Sequence, residues 1–381
     1  MSQGLPEVTA ALPPMYNQWI VDILSQPIPN ETKATCMDCP MCTPQNRTTA
    51  AHDVVFNAKT KCCTYHPDLP NFLVGKILKD TQSSSDEGPN RLRSRLRAPA
   101  VIRPQGVFPS LQEAAKNWLW NPGFGHDESM LCPYFLQEQG GVCGIWMHRN
   151  ARCATWYCKH TRGAIGLGFW RTLKELLTAV EQHLSIWCVH SLEAGSLRFR
   201  ELFPPPGIPN LELFQQQQAF YHRTSLPRDM ISDAEAFHLK HEMWGPWLGR
   251  EALFFRECSS AVASLDWAQV AAIGKEFLVH HADRLRQAFS AMVSGQIPSV
   301  LKPASYRSAA LSPGMVRVWG YSFYDPLDLS ADVLDALLYF DGRTTESAIA
   351  WIAENTNVQL TKELVRKLCD YGILEASRDN T

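Results

Sequence analysis

Nine of the twelve cysteines lie between Cys36 and Cys158, in two groups. The first is Cys36-x2-Cys39-x2-Cys42, followed by the adjacent pair Cys62-Cys63 and by His66 in KCCTYHPDLPN. The second is CPYFLQEQGGVCGIWMHRNARCATWYCKH, which holds Cys132, Cys143, Cys153 and Cys158. A C-x2-C turn lets two thiolates reach one ion because the chain folds back between them. Such turns serve zinc and iron–sulfur sites alike. A triple C-x2-C-x2-C with six further cysteines nearby points to metal. Cys188, Cys258 and Cys369 stand alone on apolar helical stretches and are expected to be core residues.

The metal is not chosen by sulfur alone, since soft donors suit zinc, cuprous copper and iron–sulfur clusters. The C-x3-C-x2-C of radical-SAM chemistry is absent. A two-cluster ferredoxin needs a fourth cysteine three residues after the triplet, and position 46 is Asn. The second group runs C-x10-C-x9-C-x4-C, which is not a zinc ribbon. No P-loop, GxGxxG, HExxH or GxSxG occurs, so hydrolase, kinase and dinucleotide-oxidoreductase readings have no support. Lys159, His160 and Arg162 follow Cys158 and form an expected cationic rim that would offset thiolate charge. Trp118, Trp120, Trp146, Trp156 and Trp170 are expected to form an apolar shell around the site. His66 is a candidate ligand or hydrogen-bond partner of one.

The elements that must position these residues are mainly helical. LPPMYNQWIVDIL places Tyr16, Ile20, Ile23 and Leu24 at helical spacing. DLPNFLVGKILKD reads as a short helix with Asp68 as its N-cap. TQSSSDEGPNRLRSRLR, with Arg91, Arg93, Arg95 and Arg97, reads as a flexible surface loop. A long amphipathic helix follows Phe169. PPPGIPN is a stop, and ISDAEAFHLKHEMW, GREALFFRECSSAVASL and DWAQVAAIGKEFLVHHADRLRQAFSAMV form a helical bundle. MVRVWGYSF reads as a strand. Three short helices then follow, capped by Ser330, Thr344 or Thr345, and Thr361. The formal charge of −2 offers no basic footprint for nucleic acid. No apolar run approaches the roughly 18 residues of a membrane helix. MSQGLPEVTA carries no secretory pattern, so a soluble, cytoplasmic protein is expected.

The run CPYF…GGVCGIW-HRN-RC-TWYC, after a cluster ending in CC, resembles the YkgJ-type family of zinc- or iron-chelating proteins over about residues 34–165. Cys132, Cys143, Cys153, Cys158 and Arg149 fall on its second motif, and Cys62 and Cys63 on its CC. Asn150 and Ala154 depart from it. The cysteine pattern is also similar to that of flagellin lysine N-methylases, a resemblance that implies an iron–sulfur cluster. The final sixty or so residues resemble PqqD-like and winged-helix modules, which implies peptide or protein binding there.

The expected fold is therefore mainly α: an irregular cysteine-rich domain over 1–165, a helical domain over 166–312, and a small winged-helix or PqqD-like α+β module over 313–381. The expected cofactor is an iron–sulfur cluster, [4Fe–4S] in kind, with zinc as the alternative. Its inner ligands are expected to be Cys62 or Cys63 with Cys132, Cys143, Cys153 and Cys158. Cys36, Cys39 and Cys42 would form a second site with the other member of the pair. Redox or group-transfer chemistry is the favoured function. A cluster-dependent enzyme acting on a peptide or protein, and a structural zinc scaffold, are the alternatives.

Overall fold

A computed structural model describes residues 12–34, 36, 38–42, 54–80, 87–98, 101–118, 123–207, 210–224, 226 and 230–377. The chain is mainly helical with small sheets. It divides into two compact units, each assembled from separate stretches. The first comprises residues 1–30, 57–156 and 173–283, and the second 31–56, 157–172 and 284–381.

In the first unit the opening helix Pro14–Leu24 starts on a proline, which needs no amide partner there, and ends at Ser25 in the left-handed region. Tyr16, Ile20, Ile23 and Leu24 are buried as the spacing predicts, and Trp19 is buried with them. The helix after the cysteine pair runs Asn71–Lys79, not from Asp68. Pro70 occupies the cap position and no side chain caps the end. The Asp68 backbone carbonyl instead accepts from Asn150 Nδ2 at 2.9 Å. The Asn71–Lys79 helix packs on Glu251–Ala263, and Gly75 makes this approach possible. A Cβ at Gly75 would lie 1.8 Å from the Phe255 carbonyl oxygen.

The basic segment expected as a loop contains a helix, Glu87–Arg95. Its polar composition concealed one apolar anchor, the fully buried Leu92, and an Arg91–Glu87 pair at 2.9 Å one turn apart. Gly88 sits against Gly144, where a Cβ would come within 1.9 Å of the Gly144 carbonyl oxygen. Tertiary seating, rather than helix propensity, holds this element in place.

The second unit ends in a three-stranded antiparallel sheet, Arg307–Ser312, Met315–Trp319 and Leu327–Ser330, in chain order. Helices Ala331–Ala336, Thr345–Asn355 and Lys362–Asp370 follow, and strand Leu374–Ala376 pairs back with Leu301–Pro303. Ser330, Thr344 and Thr361 each accept the amide three residues on, as expected of caps. Val318, Leu337, Phe340, Ile352 and Leu368 close the core, each contributing about 1.5–3 kcal/mol by burial.

Among the described residues no helix is long and apolar enough to cross a membrane.

Candidate metal centre

Five of the nine cysteines fall in the first unit: Cys62, Cys63, Cys132, Cys143 and Cys153. A long-range backbone contact joins the cysteine pair to Cys132. Lys61 adopts a left-handed φ of 49°, which turns the chain immediately before the pair. The Cys63 amide donates to Thr60 at 3.0 Å, and the Cys63 carbonyl accepts the Cys132 amide at 2.8 Å. Cys143 lies directly across a short antiparallel ladder from Phe135. Cys153 sits in the Ala151–Ala154 helix, where the Asn150 side chain accepts its amide at 3.0 Å.

The thiols feel one another electrostatically. The Cys63 thiol donates to Cys62, which holds Cys62 below the ordinary thiol value against the cost of burial. Lys61 and Arg149 act in the same direction on Cys62. Cys63, as the donor, is held well above that value, and the charges of Cys62, Cys132 and Cys143 add to the effect. Burial pushes Cys132 up to about 12, reinforced by Cys143. Burial likewise raises Cys143 and Cys153, and Cys153 also responds to Cys132, Cys143 and Cys62. Every member of the group therefore senses at least one other, and all five are partly exposed rather than sealed in the core.

Donors converge on the sulfurs. The Tyr134 and Phe135 backbone amides are directed at Cys132, and the Ile145 amide at Cys143. Amides presented to a sulfur two or three residues earlier stabilise it as a thiolate, the form that binds metal. Arg149 acts on Cys62, Cys143 and Cys153 while its guanidinium lies 3.5 Å over the Trp146 ring. Arg95 acts on Cys132 and forms a two-pronged pair with Glu113 at 3.0 Å and 3.0 Å. Lys61 is buried and donates to the Gly140 and Gly141 carbonyls at 3.2 and 2.8 Å. Those two glycines have φ of 84° and 71°, a pair of left-handed residues that turns both carbonyls toward the lysine.

The cations acting on this group are Lys61, Arg95 and Arg149, of which the sequence resemblance covers Arg149 alone. The expected rim residues are engaged within the second unit. Lys159 lies 3.9 Å from Asp325, and Arg162 forms a two-pronged pair with Asp370 at 2.6 and 2.9 Å. The expected tryptophan shell is also revised. Trp156 is 44% exposed, and Trp170 is buried in the second unit beside Tyr157 and Phe169. Trp120 and the Trp118 side chain lie outside the description. His66 turns Nε2 to the Leu131 carbonyl at 2.9 Å and Nδ1 toward Glu113 at 3.3 Å, bracing the residue before Cys132. Arg91 donates to the Pro133 and Phe135 carbonyls at 3.2 and 2.7 Å, so the Glu87–Arg95 helix braces the same loop.

Cys36, Cys39, Cys42 and Cys158 belong to the second unit. The Cys42 amide closes a turn onto the Cys39 carbonyl at 3.0 Å. Cys158 acts on Tyr324, whose hydroxyl is raised above its ordinary value chiefly by burial. A polar hub centred on Asp325 ties the chain near these cysteines to the C-terminal sheet and helices. Asp325 accepts from the Tyr321 and Tyr371 hydroxyls, the latter at 3.1 Å, and from the His160 amide at 3.4 Å. Lys33, which donates to Tyr371, lies 3.9 Å from the same carboxylate. Burial pulls His160 down to about 4.

Cys188 and Cys258 are fully buried neighbours, with the Cys188 sulfur 4.0 Å from the Cys258 carbonyl. Cys369 is half-buried at the edge of the second unit's core. Cys188 and Cys258 are core residues as expected, whereas Cys369 packs against the core's edge.

Among the described residues, no group of three His, Cys, Asp or Glu stands in an arrangement that would grip a metal ion as placed. The donor chemistry nevertheless fits one. Five thiols that act electrostatically on one another, with amides and cations directed at them, are the donor types that thiolate-bound metals use. No family model, curated protein or solved structure matches the chain.

Proposed function

We propose that this protein holds an iron–sulfur cluster on the first unit's thiols and serves in redox or group-transfer chemistry. The observation that carries this reading is that the Cys63–Cys132 backbone bond and the Phe135–Cys143 ladder place four thiols in one unit with Cys153, where the five act electrostatically on one another and three cations act on them. A [4Fe–4S] cluster takes four thiolates. Cys132, Cys143 and Cys153 supply three, and the pair supplies the fourth with one thiol to spare. Bound there, the cluster would supply one-electron exchange. The chain's own part is to hold the sulfurs, neutralise their charge through Lys61, Arg95 and Arg149, and keep the loop at Cys132 rigid through Arg91 and His66. The resemblance to the YkgJ-type pattern supports the same reading.

The test is chemical. The full chain is purified without oxygen, and iron, acid-labile sulfide and zinc are assayed beside the visible spectrum. Brown protein with sulfide is expected. Colourless protein with stoichiometric zinc and no sulfide would replace the cluster with a structural zinc site. Cys62→Ser and Cys63→Ser, made separately, are expected each to lower cluster content. If both keep the full content, the pair is not part of the site.

A cluster-dependent enzyme acting on a peptide or protein is the second reading. The antiparallel sheet followed by three helices in the second unit supports it, since it accords with the winged-helix resemblance. It requires turnover: an added peptide pool must change mass in the presence of the loaded chain and a reductant.

A further inference from the structure

Tyr134 is 1% exposed, and its hydroxyl is a buried polar atom with no hydrogen-bond partner among the described residues. Such a group costs stability unless something occupies it. Its neighbourhood narrows what that occupant is. Tyr134 is two residues from Cys132, and its own amide is among those directed at the Cys132 sulfur. Its carbonyl accepts the Gly144 amide at 2.8 Å, which places it beside the residue following Cys143. Burial holds the hydroxyl above its ordinary value, Arg95 opposes this, and Cys132, Glu113 and Cys143 add to it. Arg95 is already committed to Glu113 and to the Phe108 carbonyl at 3.2 Å. A phenol in this position, with a proton to give and no acceptor among the described residues, is matched by a thiolate sulfur.

We propose that Tyr134 is a positioning residue whose hydroxyl donates a hydrogen bond to a metal-bound thiolate or cluster sulfide of the first-unit site. The inference rests on the cluster reading above. Hydrogen bonds to sulfur stabilise the more negative, reduced state and so raise the reduction potential. They also hold ligands in place, and loss of such an outer partner typically costs about 10- to 100-fold in metal affinity.

The test compares wild type with Tyr134→Phe, which keeps the ring and removes only the hydroxyl. Both full chains are reconstituted without oxygen using iron and sulfide, and the midpoint potential is measured by redox titration. Wild type is expected to take up iron and sulfide. Y134F is expected to show a potential lower by about 59 mV for each tenfold loss of preference for the reduced state. Before loading, Y134F is expected to melt at the same temperature as wild type or higher, because an unsatisfied hydroxyl has been removed. That separates this role from a structural one, which would lower the unloaded melting temperature. If wild type takes up no metal, the cluster reading falls and this inference falls with it. If wild type loads and Y134F shows an unchanged potential, only the Tyr134 role is overturned. Should wild type take up zinc without sulfide, competition with a chelator replaces the titration, and equal affinity in both chains overturns the role.

Discussion

Gly88→Ala discriminates between two accounts of the Glu87–Arg95 helix. On helix propensity alone, replacing Gly by Ala is stabilising, by up to about 1 kcal/mol. The tertiary contact opposes it. A Cβ at Gly88 would lie 1.9 Å from the Gly144 carbonyl oxygen and 2.5 Å from its carbonyl carbon, both backbone atoms. Helix or loop must move, and overpacking of this kind costs about 1–3 kcal/mol. The net expectation is a loss of about 0–2 kcal/mol instead of a gain. The larger consequence is local. Displacing the helix pulls Arg91 off the Pro133 and Phe135 carbonyls and shifts Gly144 beside Cys143. Iron and sulfide content should therefore fall further than global stability does. Denaturant melts of the unloaded chain, followed by metal and sulfide assays on the reconstituted chain, read the two effects separately. A G88A chain that is stabilised by about 1 kcal/mol and loads fully would refute the seating of this helix against the thiol loop.

Arg91→Ala should lower cluster content and cost about 1–3 kcal/mol, because two carbonyls lose a charged donor. Arg93→Ala, where the side chain donates to the exposed Asn90, should stay within about 0.5 kcal/mol in the same melts. Glu181 is buried, and burial pushes its carboxyl up to about 8 although Tyr16 and the Ala151 amide both donate to it. The folded chain thus keeps a proton that the unfolded chain releases above about 4.3. Stability from this group is full below that value and falls by up to about 1.4 kcal/mol per pH unit until about pH 8. Denaturant titrations of Glu181→Gln from pH 5 to 8 should show that slope removed; an unchanged slope would mean that Glu181 is ionised in the fold. Gly75→Ala should be among the most destabilising single changes in the first unit, since its Cβ would lie 1.8 Å from the Phe255 carbonyl oxygen. A thermal melt within two degrees of wild type would show that the two helices do not meet there. Arg162→Ala should cost about 3–5 kcal/mol in the second unit by stranding the buried Asp370 carboxylate, read by limited proteolysis of residues 284–381.

Much of the secondary structure was legible because its signals are short-range. Helix periods and the Ser330, Thr344 and Thr361 caps depend on residues within about one turn of one another. The cysteine types and spacings were likewise sufficient to point at metal chemistry. What spacing alone did not reveal was which sulfurs share a unit. Cys153 and Cys158 are five positions apart yet fall in different units, whereas Cys63 and Cys132, remote in sequence, are joined backbone to backbone. Lys61, Arg95 and Tyr134 gave no motif, because a charge or hydroxyl acquires its role only when burial strips away water and another segment supplies, or withholds, its partner. The Glu87–Arg95 helix was missed for the same reason. Its polar sequence has little preference of its own, and the Gly88–Gly144 approach that seats it exists only once the chain has closed on itself.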